Sequence, residues 1–173
     1  NGYYLNTLET GTDEYTYAQS ADGNFKDADL SGVGSVTPSS TVAGGAWGTL
    51  FANINTASGI IENGAEAGID PALLAEAHFF RAFDYFILVQ TYGGVPLDLG
   101  AGELKFNTST VRTSVRNTVP EVYAAIFADL DKAVNELPEN PRLTGTATKN
   151  LARLYLSKAY LTYAWWLENP NNI

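Results

Sequence analysis

Aromatic side chains in a polar segment are the residues of this sequence best suited to bind a ligand. Tyr15, Tyr17 and Phe25 lie within residues 1–43, a stretch rich in Gly, Asp, Ser and Thr, and Trp47 follows it. The apolar C–H face of a sugar ring stacks on aromatic rings, while polar side chains bind its hydroxyl groups. These four residues are therefore candidate glycan contacts. The alternative, which we prefer for Trp47, is that the rings pack the segment onto neighbouring helices.

A calcium site is a second candidate in the same segment. Asp27, Asp29 and Ser31 place side-chain oxygens at positions 1, 3 and 5 of a potential calcium-binding loop, and Gly32 follows at position 6. Pro38 stands at position 12, where such a loop needs a glutamate. A solvated turn is the preferred interpretation, and calcium binding remains the alternative.

Patterns for a catalytic site or a zinc site are absent from the sequence. It has no cysteine and one histidine, His78, so it offers neither a thiolate site nor a histidine-based zinc site. Several acidic residues of the N-terminal segment could include the acid pair of a glycosidase, although a sequence gives no distance between carboxyl groups; they are Glu9, Asp13, Glu14 and Asp22. We therefore predict a protein that is not an enzyme and needs no cofactor, with His78 in the core or on the surface.

The charge of the chain narrows the choice of partner. The formal net charge of the 173 residues is −9 and the pI is about 4.4. Such a surface repels phosphate backbones and anionic lipid, so we expect neither nucleic acid nor an electrostatic membrane partner. The uncharged run Tyr85–Leu97 has 13 residues, whereas a membrane-spanning helix needs about 20 apolar ones.

Hydrophobic periodicity predicts a mainly α fold with four helices. The first covers about Gly45–Asn63. The second begins at Asp70-Pro71, an N-cap followed by proline, and ends at Gly93-Gly94. The third begins at Thr118, whose T-x-x-E spacing to Glu121 fits a capping box, and the fourth covers about 148–167. We divide the chain into a loop-rich segment, a first helical hairpin, a connection and a second helical hairpin, at residues 1–43, 44–92, 93–117 and 118–168.

An internal repeat relates the second and fourth helices. Both contain two alanines seven residues apart with a large apolar residue between them, at an offset of 77 residues; the two sets are Ala75, Phe79, Ala82 and Ala152, Leu156, Ala159. This spacing is typical of the second helix of a tetratricopeptide unit. Both helices are also apolar on most sides, which predicts that each is covered on both flanks. Within the second helix we expect Arg81 and Asp84 to form an i,i+3 ion pair.

The order of these segments resembles the SusD/RagB family of surface nutrient-binding lipoproteins. The most specific segment is AEAHFFRAFDYFILVQTYGGVPL, in which the alanines, Glu76, Arg81 and the Y-G-x-V-P-L ending fit the family pattern. PEVYAAIFADLDKAVNELP and ATKNLARLYLSKAYL fit two further segments, so the resemblance covers about residues 45–164. It implies a tetratricopeptide-like, SusD-like α-helical fold.

The resemblance also implies a function. Family members bind oligosaccharide or polysaccharide at the extracellular face of the outer membrane without cleaving it. They deliver it to a SusC-like TonB-dependent transporter. Members are several times longer and carry a lipid anchor on a cysteine that this chain lacks, so we expect 1–173 to be the N-terminal part of a single SusD-like domain. The alternative is a tetratricopeptide-like adaptor that binds a protein or peptide partner.

Overall fold

The computed structural model describes residues 12, 37, 40–97, 105–110 and 113–170. Helices make up the regular structure of these residues: α1 (Thr41–Asn63), α2 (Pro71–Tyr92), α3 (Val119–Glu136) and α4 (Lys149–Glu168). The chain divides into two compact units, Asn1–Thr49 and Leu50–Ile173, and the helical stack discussed below lies in the second. The predicted α-helical fold is thereby confirmed, while most of the loop-rich segment lies outside the described residues.

Helix boundaries follow local hydrogen-bonding chemistry. At the start of α2, Asp70 Oδ1 accepts a hydrogen bond of 2.7 Å from the Ala72 N–H, which confirms the predicted N-cap. At its end Gly93 adopts φ 73°, and its N–H donates to the Val89 carbonyl. Only α1 departs clearly from the prediction, because it begins at Thr41 rather than near Gly45 and runs through the Gly44-Gly45 pair.

The predicted capping box at the start of α3 is also present. Glu121 Oε2 accepts hydrogen bonds from the Thr118 N–H at 2.7 Å and from its hydroxyl at 2.9 Å. These bonds, the backbone one first, lower the pKa of Glu121 because they favour its charged form.

Helix α2 is the inner helix of the stack. It packs on α1 through the edge-to-face pair Phe51–Tyr85, with ring centroids 6.2 Å apart, and on α3 through Phe86–Tyr123, at 6.4 Å. Burial of 11 of its 22 residues explains why its sequence is apolar on most sides. The prediction that α2 lies between neighbouring helices is therefore confirmed.

Helix α4 does not meet the same prediction. It packs on α3 through Phe127–Tyr160 and Tyr123–Tyr163, and on α2 through Tyr155. Of its residues only two alanines are buried, and several large apolar side chains are exposed, namely Leu154, Tyr160, Leu161, Trp165 and Leu167. The expectation that both flanks are covered is thus wrong for the described residues, because they place neighbouring helices on one side of α4 only.

A buried polar network joins three helices and corrects the predicted pairing of Arg81. Its guanidinium donates to both carboxylate oxygens of Asp129 on α3, at 2.6 and 2.8 Å, and to Ser58 Oγ on α1 at 3.2 Å. His78 Nδ1 lies 2.7 Å from Asp129 Oδ1. Burial alone would raise the pKa of Asp129, but the hydrogen bonds from Arg81 and His78 outweigh it and hold that pKa below its usual value.

Asp84, the predicted partner of Arg81, instead binds the side chain of Asn53 on α1. It is buried, and no ion pair of Asp84 occurs among the described residues. Burial therefore dominates over the hydrogen bond from Asn53 and raises the pKa of Asp84 to about 6. The i,i+3 prediction failed because a bidentate partner on another helix offers the guanidinium a better geometry than a carboxylate on its own helix.

Replacing Asp129 tests the network. Asp129→Asn should lower the free energy of unfolding by about 3–5 kcal/mol, since it leaves the Arg81 charge buried without a compensating anion. Chemical denaturation would measure this loss. Asp131→Asn is the matched control, because Asp131 lies on the same helix and is exposed. Equal loss in both variants would contradict a central role for the ion pair.

Replacing Asp84 tests a buried carboxyl group that forms no ion pair among the described residues. The folded protein holds the proton of Asp84 up to about pH 6, whereas its usual pKa is 3.8. Stability contributed by the neutral carboxyl is therefore lost as the pH rises across this range. Asp84→Asn should raise the free energy of unfolding by about 1 kcal/mol at pH 7.5, after allowance for solvent screening, and change it little at pH 4. A stabilisation that is greatest at pH 4 would refute this assignment.

Candidate functional site

The candidate glycan residues Tyr15, Tyr17 and Phe25 lie outside the described residues, as do the calcium candidates Asp27, Asp29 and Ser31. Their assignments stay predictions.

Trp47 lies within the described residues, on the seventh position of α1. It is inside the helix rather than at the junction of loop and helix, because α1 begins earlier than predicted. Its side chain is partly accessible, at 38% of its full exposure. A large aromatic ring with this accessibility can offer part of its surface to a sugar ring, so both interpretations of Trp47 stay open.

Phe106 is an aromatic residue that the sequence analysis missed. It lies in the connection between α2 and α3, and its side chain is 41% exposed. Its ring lies directly on Gly59 of α1, where an added Cβ would come within 2.9 Å of a ring carbon. The Phe106 N–H donates to Glu62 Oε2 at 3.0 Å, so both backbone and ring are held against the helix.

Asn107 fixes the position of this aromatic side chain. Asn55 on α1 donates to the Asn107 carbonyl at 3.1 Å, and the Asn107 N–H donates back to Asn55 Oδ1 at 2.8 Å. The buried Asn107 side chain also accepts a hydrogen bond of 2.7 Å from the Ser109 N–H. The sequence could have indicated Phe106, because it is an aromatic residue within the polar run Lys105–Thr110. The same pattern selected Tyr15 and Tyr17.

An apolar groove of about 440 Å³ adjoins Phe106. Its walls come from the second half of α1, from the turn that follows it and from Phe106. The residues of α1 and the turn are Thr56, Gly59, Ile60, Asn63, Gly64, Ala67 and Ile69. The Asn63 amide donates to the Gly59 carbonyl at 2.9 Å, which fixes this polar side chain at the groove. Ligand pockets combine apolar and aromatic surface with a few placed polar groups, so this groove is a candidate contact for a ligand.

A second hollow, also of about 440 Å³, lies where α2 ends and α3 begins. Arg116 is its charged residue, and its guanidinium donates to the carbonyls of Gly94 and Tyr92 at 2.7 Å each. These bonds satisfy carbonyl groups at the C-terminus of α2. A Cβ on Gly94 would collide with the Asn117 carbonyl, so the chain needs glycine there. The polar groups of this hollow thus serve the helix junction.

The other charged groups near the core also have structural partners. Arg142, from the loop between α3 and α4, donates to both carboxylate oxygens of the buried Glu76 at 3.1 and 3.3 Å. Asp129 is engaged by Arg81 and His78. In the described part of the chain, no group of three or more His, Cys, Asp or Glu residues is arranged to hold a metal ion. None of the described helices is long and apolar enough to span a membrane.

Comparison with known proteins gives consistent matches. The model of the SusD-like family described as starch-binding and associating with the outer membrane matches residues 6–161. A curated relative, SusD-like protein P2 of Formosa agariphila, is 32% identical over 121 residues, which are 67% of this chain and 23% of that protein.

Solved structures share the fold. A SusD-like protein from Bacteroides fragilis is 26% identical, with a TM-score of 0.70 over 92% of this chain and 31% of that one. A crystal structure determined with a xylogluco-oligosaccharide has a TM-score of 0.72 at 24% identity, over 92% and 31% of the two chains. A laminarin-binding SusD-like protein has a TM-score of 0.69 at 20% identity, over 92% and 34%.

The chain spans less than a quarter of this curated relative and about a third of these solved structures. Its match to the family model nevertheless extends over most of its own length. Two of the solved structures share the fold over 92% of this chain. This chain belongs to the SusD-like family.

Proposed function

We propose that this chain is part of a non-catalytic protein that binds oligosaccharide or polysaccharide at the cell surface. The family match over residues 6–161, with its description as starch-binding and associating with the outer membrane, carries this proposal. In the proposed mechanism, sugar rings stack on aromatic side chains and their hydroxyl groups bind polar side chains. No bond is made or broken and no cofactor takes part.

We further propose where the protein acts and which protein receives its ligand. The protein acts at the extracellular face of the outer membrane, held there by a lipid anchor, and passes its ligand to a SusC-like TonB-dependent transporter. The description of the family supports the association with the outer membrane. Binding without cleavage suits such a role, because the ligand must leave intact for uptake.

A neutral glycan suits the chain better than a charged one. The net charge of −9 repels anionic polysaccharides. Two proteins that share this fold, one solved with a xylogluco-oligosaccharide and one described as laminarin-binding, involve different glycans. We therefore assign specificity to side chains around the common helices. The candidates are Tyr15, Tyr17, Phe25, Trp47 and Phe106. A calcium site at Asp27, Asp29 and Ser31 stays the alternative to a solvated turn there.

A binding panel tests the function. The complete gene product would be titrated with starch, xyloglucan, laminarin and an anionic polygalacturonate, with affinity electrophoresis and calorimetry as readouts. We expect at least one neutral polysaccharide to bind without being cleaved. The anionic polysaccharide should bind more weakly. If no neutral polysaccharide binds and a protein partner is retained specifically, the adaptor alternative would be favoured.

Phe106 can be tested once a ligand is identified. Phe106→Ala should weaken binding about tenfold, which corresponds to about 1.4 kcal/mol, because it removes the ring beside the groove. Phe80→Ala is the matched control, since Phe80 is a similarly exposed phenylalanine on α2. Both variants should keep their melting temperatures within a few degrees of the parent. Equal affinity of the parent and both variants would exclude Phe106 from the binding surface.

A further inference from the structure

The contact between Phe106 and Gly59 shows which surface of the aromatic ring touches α1. A Cβ added to Gly59 would lie 2.9 Å from the ring carbon Cδ2, and 3.1 and 3.2 Å from Cγ and Cε2, the two carbons bonded to it. An atom that approaches a ring at its edge is much closer to one carbon than to that carbon's neighbours. Three nearly equal distances therefore place Gly59 over the face of the ring, so Phe106 lies flat on the helix.

This arrangement requires glycine at position 59. Carbon atoms in van der Waals contact are about 3.5–4.0 Å apart, so a side chain at Gly59 would push the ring of Phe106 away. Gly48 lies on the same helix, and a Cβ added there would meet nothing within 4 Å. Glycine in a helix interior is less favourable than alanine. Gly59 thus weakens α1 locally while it makes room for the ring.

The other face of the Phe106 ring points away from α1. One face lies on Gly59 and the residue is 41% exposed, so the accessible surface is the opposite face together with the rim of the ring. Hydrogen bonds hold the backbone at this position, from the Phe106 N–H to Glu62 Oε2 and from the Asn107 N–H to Asn55 Oδ1. The ring is therefore in place before a ligand arrives, which lowers the entropic cost of binding.

The surroundings of the ring favour a neutral sugar. No charged side chain is among the described residues that line the adjoining groove, and the carboxylate of Glu62 beside Phe106 repels an anion. The axial hydrogens of a pyranose chair form a flat apolar face, which stacks on the face of an aromatic ring rather than on its edge. A furanose ring is smaller and puckered and presents no such flat face.

We propose that Phe106 is a preformed stacking platform for one neutral pyranose ring and that Gly59 is its positioning residue. The sugar lies on the outer face of the Phe106 ring, and its hydroxyl groups reach the amide of Asn63 at the groove. This assignment rests on the proposed function, because it names a subsite for the same glycan. The position of the ring over Gly59 is a property of the ligand-free protein and is tested first.

Nuclear magnetic resonance tests the ring position without a ligand. The complete gene product would be prepared with isotope-labelled glycine, and Gly59→Ala would identify the Gly59 signal by removing it. The Gly59 Hα that points at the ring should resonate upfield of the Gly48 Hα signals, because a ring current shields protons above an aromatic face. Phe106→Ala should abolish this upfield shift. A Gly59 Hα signal that Phe106→Ala leaves unmoved would overturn the face-on contact.

Binding measurements test the positioning role. Gly59→Ala should weaken binding of a neutral pyranose polysaccharide about tenfold, and it should add nothing in the Phe106→Ala background, because both changes remove the same platform. Gly48→Ala is the matched control and should leave the affinity unchanged. The single glycine variants should melt no lower than the parent. Unchanged affinity of Gly59→Ala, or losses that add in the double variant, would refute the role of Gly59.

The shape of the platform is tested at Phe106 itself. Phe106→Tyr keeps a flat ring and should keep the affinity, whereas Phe106→Leu keeps an apolar side chain without a flat face and should lose it. Inulin, a neutral furanose polymer, should bind more weakly than a pyranose polymer and should not respond to Phe106→Leu. An equal response of the two polymers would overturn the pyranose assignment.

The outcomes separate this subsite from the proposed function. If the parent protein binds no neutral polysaccharide, the proposed function and the subsite both fail. If the parent binds a pyranose polymer and neither Gly59→Ala nor Phe106→Leu weakens the binding, the proposed function stands and the subsite alone is refuted.

Discussion

A guanidinium group within a helix that is buried on most sides needs a compensating charge, and here Asp129 supplies it from the next helix. The geometry is bidentate, with both donor–acceptor distances below 3 Å. The third guanidinium nitrogen donates to Ser58 Oγ, and His78 Nδ1 lies within hydrogen-bond distance of Asp129 Oδ1. Breaking such a pair leaves an uncompensated charge in the core. The network therefore fixes the relative positions of α1, α2 and α3, and the exposed groups outside the stack depend on that arrangement.

Local chemistry made much of this fold predictable from the sequence. Asp70-Pro71, Gly93 and the Thr118–Glu121 box mark helix ends through hydrogen bonds among neighbouring residues, and the helix period is visible over many turns. Pairing across helices was not predictable in the same way. The partner of Arg81 lies 48 residues away, and nothing in the spacing Arg81–Asp84 shows that a carboxylate on another helix has better geometry.

The candidate site was less predictable than the fold for a related reason. Phe106 became a candidate because the helix beneath it carries Gly59, and because Asn55 and Asn107 tie the two segments together. These contacts join residues about 50 positions apart, so no local pattern reveals them. The acidic surface and the aromatic residues in polar segments pointed to a class of ligand, since composition alone determines those properties.

The junction between α2 and α3 has a consequence for how this fold can diversify. Leu97 donates to the Asn117 side chain at 2.9 Å, and the Asn117 N–H donates to the Val95 carbonyl at 3.3 Å. Hydrogen bonds thus join the two ends of the intervening segment to each other, and Arg116 adds one more by donating to the Gly94 carbonyl. Closing a longer segment costs only about 0.6 kcal/mol for each doubling of its length. Evolution can therefore exchange or lengthen the segment that carries Phe106 while the helices beneath it stay in register.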